Sequence, residues 1–439
     1  MSGSESNKPF KHLTKQELFR ESKVFCPLPW THLHVTPFGA AAPCCIGESC
    51  STREGMGDAT KLSLMELVNS DQMKQLRVDM LNGNKNNECI KCYEHEEQGI
   101  QSWRKGVMDR YPDVYHEAIN TNSDGSVDEF TMRYYDMRFS NICNFKCRTC
   151  GQEYSSQWEQ ENLRNNVDWA YTLPKNNNSQ LLQDVIDKID GMEHAYFAGG
   201  EPLIMEEHYI VLEEMIRKGK TDIELTYNSN ISNLKFKNKD IIQLWSHFTK
   251  PIKMSASIDH VKERAEYIRH GTDWGVVESN FKQLRQYDFI EMTMNSVLSV
   301  FNYLTFDQFY GYLMANDMYV KGTSFYSIYS MSGPNHLTCH ILPPELKELG
   351  DQSMTRTLKL MEDYVLSPVN IQFVNDAAHW AKSKTTTYDF PPGTNDLSIE
   401  LGMAQTNIQL FKDEIARLDK IRGESFENVF PELKPLLDL

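Results

Sequence analysis

The stretch SNICNFKCRTC, residues 140–150, decides the fold because it sets three cysteines directly behind a short β-type run. The cysteines are Cys143, Cys147 and Cys150, in the spacing CxxxCxxC. Three thiolates within eight residues can hold one 4Fe-4S cluster and leave its fourth iron open to an outside ligand. A zinc knuckle or a group of buried thiols is the alternative. It is less favoured because no further Cys or His follows within the next forty residues.

Six β-type runs alternate with helical patterns in the middle of the chain. Six strand-then-helix units predict an α/β fold with a parallel sheet and crossover helices, either open or closed as a barrel. Ligands of such sheets bind at the carboxyl ends of the strands, and the cysteine triplet follows the first of these ends. The runs are MRYYDMRF (132–139), HAYFAGG (194–200), IELTYNS (223–229), IKMSASID (252–259), MTMNSVLSV (292–300) and TSFYSIY (323–329).

Composition and charge restrict the function. The chain has 439 residues, of which 40% are hydrophobic and 24% charged, which is typical of a folded protein rather than a disordered one. Its net charge of −16 disfavours general binding to nucleic acid, which needs clustered Lys and Arg. The N-terminus lacks the apolar core of a signal peptide, and no apolar run reaches the roughly 18 residues of a membrane span. We therefore predict a cytoplasmic protein that does not bind membranes, and a nucleic-acid substrate is disfavoured.

Turn-rich segments divide the chain into three predicted domains. The polar stretch NTNSDGSVD, residues 120–128, is typical of a linker. It predicts a small cysteine-rich domain over 1–119 and the α/β domain over 130–340. Beyond this the pattern is helical, with a loop TTTYDFPPGTND at 385–396, so we predict a helical C-terminal extension over 341–439. We interpret the extension as a cap or a substrate-recognition element.

The N-terminal cysteines form a second potential metal site. Nine of the ten cysteines lie in the first 150 residues, and structural disulfides are not expected in a reducing compartment. Four thiolates are predicted to act together, and spacing alone does not choose between zinc and an iron-sulfur cluster. Cys45 competes with Cys44 for one position, and Cys50 is a further rival. The four predicted ligands are Cys26, Cys44, Cys89 and Cys92.

The triplet, together with FAGGEPL at 197–203, resembles the radical S-adenosylmethionine (SAM) superfamily. The resemblance implies a partial (β/α)6 TIM-like barrel, with a 4Fe-4S cluster on the triplet and SAM bound to the open iron. Reductive cleavage of SAM then gives a 5′-deoxyadenosyl radical that takes hydrogen from a substrate. Thr149 departs from the family, which usually has an aromatic residue just before the last cysteine.

The N-terminal segment resembles the twitch and SPASM domains that some radical SAM enzymes carry. The resemblance rests on the order C-x12-G-x4-C, which includes Gly39, followed by CxxC. It implies an auxiliary 4Fe-4S cluster. Many family members have this domain after the barrel, whereas here it comes first.

Polar residues at the strand ends are the predicted SAM contacts. The resemblance assigns the GGEP turn to the SAM amino group, Ser257 and Asp259 to ligand contact, and Arg269 to the SAM carboxylate. For Ser229 a ligand contact and a capping role stay equally open, since Ser, Asn and Asp commonly cap helices and turns. The residues of the turn are Gly199, Gly200, Glu201 and Pro202.

Several functions stay open at this level. The leading prediction is a two-cluster radical SAM oxidoreductase that acts on a small molecule or on a peptide or protein side chain, with an external electron donor such as flavodoxin or ferredoxin. The alternative is a non-catalytic iron-sulfur or zinc module for binding or redox sensing. An RNA-modifying enzyme is less favoured because of the acidic charge. No catalytic residue is assigned from the sequence.

Overall fold

The structure is a computed structural model of the chain. It describes residues 8–97, 99, 101–168, 170–173, 178–318, 326–331, 333–363, 374–379, 381 and 397–439. Contacts between residues divide the chain into two units. The first comprises residues 1–143, 152–227 and 235–252, and the second comprises residues 144–151, 228–234 and 253–439.

The first unit contains a mostly parallel sheet. In this unit the strands follow the order β5, β4, β3, β1, β2, and only the pairing of β1 with β2 is antiparallel. A separate antiparallel hairpin is formed by β6 and β7. The bounds are β1 His32–Val35, β2 Ala41–Ala42, β3 Tyr134–Met137, β4 His194–Phe197, β5 Glu224–Ser229, β6 Lys235–Phe236 and β7 Lys239–Asp240.

The cysteine-rich segment contributes a strand to this sheet. Strand β1 lies parallel to β3, with His32 opposite Tyr134 and His34 opposite Asp136. The predicted linker at 120–128 therefore does not separate the N-terminal segment from the sheet. The contacts divide the chain differently from the three predicted domains. The predicted domain boundaries therefore remain a proposal from the sequence.

Helices cover one face of the sheet in the first unit. Phe197 and Tyr227, on the apolar face of β4 and β5, contact His208 of α9. Local signals start several helices: Ser63 and Glu66 form a capping box at α2. The α-helices are α1 Leu28–Thr31, α2 Leu64–Val68, α3 Asp71–Leu81, α4 Ile90–Glu97, α5 Trp103–Arg110, α6 Tyr115–Ile119, α7 Ser156–Arg164, α8 Ser179–Asp187, α9 Glu206–Arg217 and α10 Ile241–Trp245.

The second unit contains the remaining strands and the C-terminal helices. Strands β9 and β10 pair in parallel, and burial along β9 alternates with the period of two that a strand requires. The strands are β8 Ile252–Ser257, β9 Ile290–Leu298 and β10 Tyr326–Ser330. The α-helices are α11 Lys262–Ile268, α12 Trp274–Leu284, α13 Phe306–Ala315, α14 Pro344–Asp363, α15 Leu397–Arg422, α16 Phe426–Val429 and α17 Pro435–Asp438.

The predicted fold class is confirmed. All six predicted runs form strands (β3, β4, β5, β8, β9 and β10), and helices follow them as expected for an α/β barrel. The predicted C-terminal extension is helical where it is described, while the loop at 385–396 lies outside the described residues. Among the described helices, none has the length and apolar character needed to cross a membrane.

Candidate iron-sulfur and SAM sites

The four predicted N-terminal ligands line one cavity in the first unit. Trp103 and Arg104 complete its wall, while Cys45 and Cys50 are not part of it. Cys26 and Cys92 are buried, and Cys44 and Cys89 are partly buried. This arrangement favours Cys44 over Cys45 as the fourth thiol. The cavity is lined by Cys26, Cys44, Cys89 and Cys92 together with Leu28, Ile46, Glu88 and Lys91.

The thiols of this cavity influence one another electrostatically. Burial, followed by the neighbouring thiol of Cys92, raises the pKa of Cys89 to about 12. Burial and then Cys89 likewise raise the pKa of Cys26. These raised pKa values favour the protonated thiols. A bound metal centre reverses that preference for protonation, because coordination deprotonates a thiol outright. Four thiols around one cavity are the donor set that a fully ligated cluster requires.

Arg104 supplies positive charge beside these thiols. Its guanidinium forms a two-point ion pair with Glu96, through Nε at 2.9 Å and Nη2 at 2.5 Å, and donates to the Phe25 carbonyl at 2.8 Å. It is 4% exposed. Within the described residues, no three His, Cys, Asp or Glu side chains are positioned around a single metal ion, so the four thiols share a cavity rather than one coordination point.

The triplet is divided between the two units. Cys143 belongs to the first unit, where its N–H donates to the Ser156 hydroxyl at 3.3 Å. Cys147 and Cys150 belong to the second unit, and the Cys150 N–H donates to the Cys147 carbonyl at 3.0 Å. Cys147 is buried, Cys143 is partly buried and Cys150 is exposed.

The GGEP turn packs against the residues just before Cys143. The Glu201 N–H donates to the Ile142 carbonyl at 2.8 Å. Gly200 has a φ of +52°, and a Cβ there would lie 2.4 Å from the same carbonyl oxygen, so only glycine fits. The Glu201 carboxylate is buried and accepts the Leu203 N–H at 3.0 Å. The first unit therefore joins the GGEP turn to the start of the triplet.

In the second unit, the loop at 144–151 is held by the last residue of α11 and the segment that follows it. The Lys146 N–H donates to the His270 carbonyl and the Arg148 N–H to the Ile268 carbonyl, both at 2.7 Å. Arg269, between these two partners, donates from Nη1 to the Cys147 sulfur at 3.8 Å. Burial raises the pKa of the Cys147 thiol, and Arg269 partly opposes that shift.

Comparisons with known proteins decide the family. Residues 137–311 match the radical SAM superfamily, and residues 26–93 match SPASM, an iron-sulfur cluster-binding domain. The chain therefore contains a radical SAM domain and, N-terminal to it, a SPASM domain. The radical SAM domain implies a 4Fe-4S cluster and SAM, and the SPASM domain implies an auxiliary cluster. No curated protein matches the sequence.

Solved structures give only distant matches to the radical SAM protein. Native anSMEcpe with bound AdoMet is 18% identical over 52% of this chain, at a TM-score of 0.35, and the alignment spans 58% of its length. Streptococcus suis SuiB bound to precursor peptide SuiA is 12% identical over 67% of this chain and 63% of its own, at 0.34. TYW1 with a lysine-pyruvate adduct is 14% identical over 53% and 71%, at 0.28. Scores this low support no detailed comparison.

The predicted SAM contacts in the second unit of the radical SAM protein behave differently from one another. Ser257 and Arg269 line one small cavity with Phe145, Asn230 and Trp274. Ser229 is buried, and its hydroxyl accepts the N–H of Ile231 in a local turn at the end of β5. Phe145 and Trp274 give this cavity an aromatic wall.

Asp259 is engaged within the protein. Its Oδ1 accepts the Val297 N–H at 2.8 Å, and its Oδ2 lies 2.8 Å from Arg269 Nε. The second contact is an ion pair without a hydrogen bond, because the Arg269 Nε–H does not point at the carboxylate oxygen. Asp259 is fully buried. The predicted SAM residues Asp259 and Arg269 are thus ion-paired with each other.

The radical SAM protein also has a charge cluster around the buried Arg148 that the sequence analysis missed. Arg148, inside the triplet, lies 2.7 Å from Asp419 and 2.6 Å from Glu424, and its guanidinium stacks 3.7 Å above the ring of Tyr267. The His270 Nδ1 contacts Glu424 at 2.5 Å. The C-terminal extension therefore holds the loop that carries Cys147 and Cys150. No local pattern revealed this, since the partners are 271 and 276 positions from Arg148.

A second missed feature lies on the sheet of the first unit. His34 Nδ1 lies 2.9 Å from Asp136 Oδ2, and Arg138 Nε lies 3.4 Å from Asp136 Oδ1. The side chains of His34 and Asp136 are 2% and 1% exposed. Burial alone raises the pKa of Asp136, but His34 and Arg138 outweigh it and hold that pKa well below its usual range. Polar residues at alternate positions of HLHV and YYDM were the available signal.

Proposed function

We propose that this radical SAM protein oxidises a small molecule or a peptide side chain at a carbon that carries a hydroxyl or amino group. When bound, the SAM-linked cluster supplies a 5′-deoxyadenosyl radical that takes the hydrogen atom, and the auxiliary cluster supplies an acceptor for one electron. The remaining proton must go to a group of the protein. We propose an external donor such as flavodoxin or ferredoxin for the reductive step, and the cytoplasm as the site of action.

The observation that carries the proposal is the buried pair of His34 and Asp136. Parallel strands buried on both faces usually carry mainly apolar residues, so a His–Asp pair here is informative. The pair lies on the face of β1 and β3 opposite the helix-covered one. Because Asp136 engages Nδ1, the reactive nitrogen is Nε2, which has no hydrogen-bond partner among the described residues.

The proposed proton step uses Nε2 of His34. The substrate O–H or N–H proton moves to Nε2, and the bonding electron pair stays on the substrate heteroatom. Asp136 keeps the ring oriented through Nδ1 and stabilises the imidazolium that forms. Arg138 connects the pair to the GGEP turn, since a Cβ on Gly199 would lie 2.3 Å from the Arg138 Cδ.

The cofactor ligands follow from the thiol sets. We assign the SAM-binding cluster to Cys143, Cys147 and Cys150, and the auxiliary cluster to the four cysteines that line the N-terminal cavity. Three ligands leave an open iron for SAM, whereas four ligands close the auxiliary site. Gly199, Gly200, Glu201, Pro202 and Ser257 remain the proposed SAM contacts.

The first test is anaerobic reconstitution with iron and sulfide, followed by iron counting and a dithionite-driven assay for 5′-deoxyadenosine from SAM. We expect about eight irons per chain, as two 4Fe-4S clusters require. The C143A/C147A/C150A variant should lose about four irons and all 5′-deoxyadenosine formation. Zinc in place of iron, or no SAM cleavage by the intact protein, would favour the non-catalytic binding module.

The His34 role is tested with a panel of alcohols, amines and peptides, analysed by mass spectrometry for loss of two hydrogens. His34→Gln should lower turnover of the substrate found by about 10² to 10⁴-fold, the usual contribution of a general base. It should keep SAM cleavage without substrate. His32→Gln is the matched control, since His32 bonds only to a backbone carbonyl. Equal turnover by His34→Gln and the intact protein would rule out the proton step.

A further inference from the structure

The guanidinium of Arg269 lies between a carboxylate and a thiol in the second unit. Its Nε is 2.8 Å from Asp259 Oδ2, and its Nη1 donates to the Cys147 sulfur at 3.8 Å. The Arg269 side chain is 15% exposed and that of Asp259 is 0% exposed. The guanidinium is therefore held in one orientation by two buried partners.

Burial makes the charge of this group effective. The interaction between charges strengthens as water is excluded, so a guanidinium at a buried sulfur acts more strongly than one at the surface. A guanidinium is not deprotonated in proteins, so Arg269 is a cation beside the Cys147 sulfur. Asp259 is in turn fixed by the Val297 N–H on β9.

We propose that Arg269 is a positioning residue for the SAM-binding cluster, which it addresses through the Cys147 sulfur, and that it raises the reduction potential of that cluster. This proposal rests on the proposed function, in which Cys147 is a cluster ligand. Reduction adds one electron from the external donor and makes the cluster more negative. A cation and an N–H donor at a ligand sulfur stabilise that reduced form.

This role differs from the predicted contact between Arg269 and the SAM carboxylate. The SAM carboxylate would have to compete for Arg269 with Asp259, which already neutralises the guanidinium in a buried ion pair. The two roles make different predictions. A SAM-binding arginine changes SAM affinity, whereas an arginine at the ligand sulfur changes the potential of the cluster before SAM is added.

The test is a redox titration of the reconstituted full-length protein, followed by electron paramagnetic resonance. The SAM-binding cluster is recognised as the signal that changes when SAM is added. In Arg269→Gln, the ratio of reduced to oxidised cluster at a fixed potential should fall about tenfold without SAM, which is ~59 mV for a one-electron couple. SAM affinity, measured from the same spectral change, should alter less than about threefold.

Two further variants keep the result interpretable. Arg269→Lys keeps the charge and loses the planar fork, so its potential should fall between those of the intact protein and the glutamine variant. It also serves if Arg269→Gln does not load iron. Arg264→Gln is the matched control. It removes one positive charge from the same unit, and Arg264 is likewise paired with a carboxylate, that of Glu432. We expect no shift from it.

The failures are distinguishable. An intact protein without a SAM-responsive cluster contradicts the proposed function. A loaded Arg269→Gln variant with unchanged potential overturns the Arg269 assignment and leaves the proposed function standing. A tenfold or greater loss of SAM affinity at unchanged potential also overturns it, and supports the SAM-carboxylate role instead.

Discussion

The two cysteine sets differ in how the chain assembles and surrounds them. The SPASM cavity, which is the N-terminal cavity lined by Cys26, Cys44, Cys89 and Cys92, gathers four thiols. Its cation, Arg104, is paired with Glu96 only eight positions away. The triplet offers three thiols from one short loop, and its charged neighbours come from distant segments. A closed set suits electron storage, while a three-thiol set leaves a coordination position for SAM. The difference also predicts which site depends on distant parts of the chain.

The strongest test of this comparison removes one thiol from each set. Cys147→Ala should abolish 5′-deoxyadenosine formation, because this thiol is a proposed ligand of the SAM-binding cluster. Cys89→Ala should reduce the iron content by about four and leave measurable SAM cleavage, since this thiol is a proposed ligand of the closed, auxiliary cluster. Iron counting and the 5′-deoxyadenosine assay read both results. Loss of SAM cleavage in both variants to the same extent would contradict the separate roles.

The next largest effect is expected at Arg148. Arg148→Ala leaves the partly buried carboxylates of Asp419 and Glu424 without the guanidinium that pairs with both, which should cost about 3 kcal/mol of unfolding free energy. Iron should be lost from the triplet and kept in the SPASM cavity. Urea unfolding and iron counting measure the two effects.

A charge-free version of the same cluster is the control for Arg148. The triple variant R148M/D419N/E424Q removes all three charges, so it leaves no unpaired ion behind. We expect less than half of the stability loss of Arg148→Ala. An equal loss would show that packing at Arg148 matters rather than its charge.

Acid should destabilise both the first and the second unit, because each contains a buried neutral histidine. Burial lowers the pKa of His32 to about 4 and that of His260 to about 3. Below about pH 6.5 these two histidines bind protons in the unfolded chain but stay neutral in the folded protein. The free energy of unfolding is therefore highest above that pH and falls toward pH 4. For His32 the loss amounts to about 3 kcal/mol. Unfolding free energies in urea at pH 7 and pH 5 measure it.

Separate variants assign the acid effect to each region. His32→Asn should flatten the pH dependence in the first unit and His260→Asn in the second, each by about 1.4 kcal/mol per pH unit per proton. His247→Asn is the control, because His247 is exposed. An unchanged slope in His32→Asn would mean that His32 titrates normally in the folded protein.

The smallest expected effect separates backbone strain from close packing beside the triplet. Gly200 and Gly219 both have positive φ, at +52° and +70°, but only Gly200 has a carbonyl within reach of an added Cβ. Gly219→Ala should cost about 1 kcal/mol and Gly200→Ala about twice that, with reduced SAM cleavage only in the latter. Thermal unfolding and the 5′-deoxyadenosine assay test this. Equal effects on stability and activity would exclude a role for the GGEP turn in holding the triplet.

Much of the fold was accessible from local sequence patterns. The six strands follow from runs with strand-like composition between helical segments, and the triplet and CxxC spacings identified both thiol sets. The choice of Cys44 over Cys45 was not accessible, because adjacent cysteines differ only in the direction that the folded chain gives them. The structure favours Cys44 by lining the cavity with it. The joining of β1 to the sheet was also missed, since a four-residue strand in a cysteine-rich segment has no distinct pattern.

The sequence by itself determined the donor atoms: which residues are thiols, how they are spaced, and that a strand precedes the triplet. Those properties are local, because ligand spacing and strand periodicity act over a few residues. Only the tertiary structure decided the electrostatic surroundings. His34 meets Asp136 across 102 positions, Arg269 meets Cys147 across 122, and Arg148 meets Asp419 across 271. Charges interact through space regardless of their separation along the chain, so these partners appear only once the chain has folded.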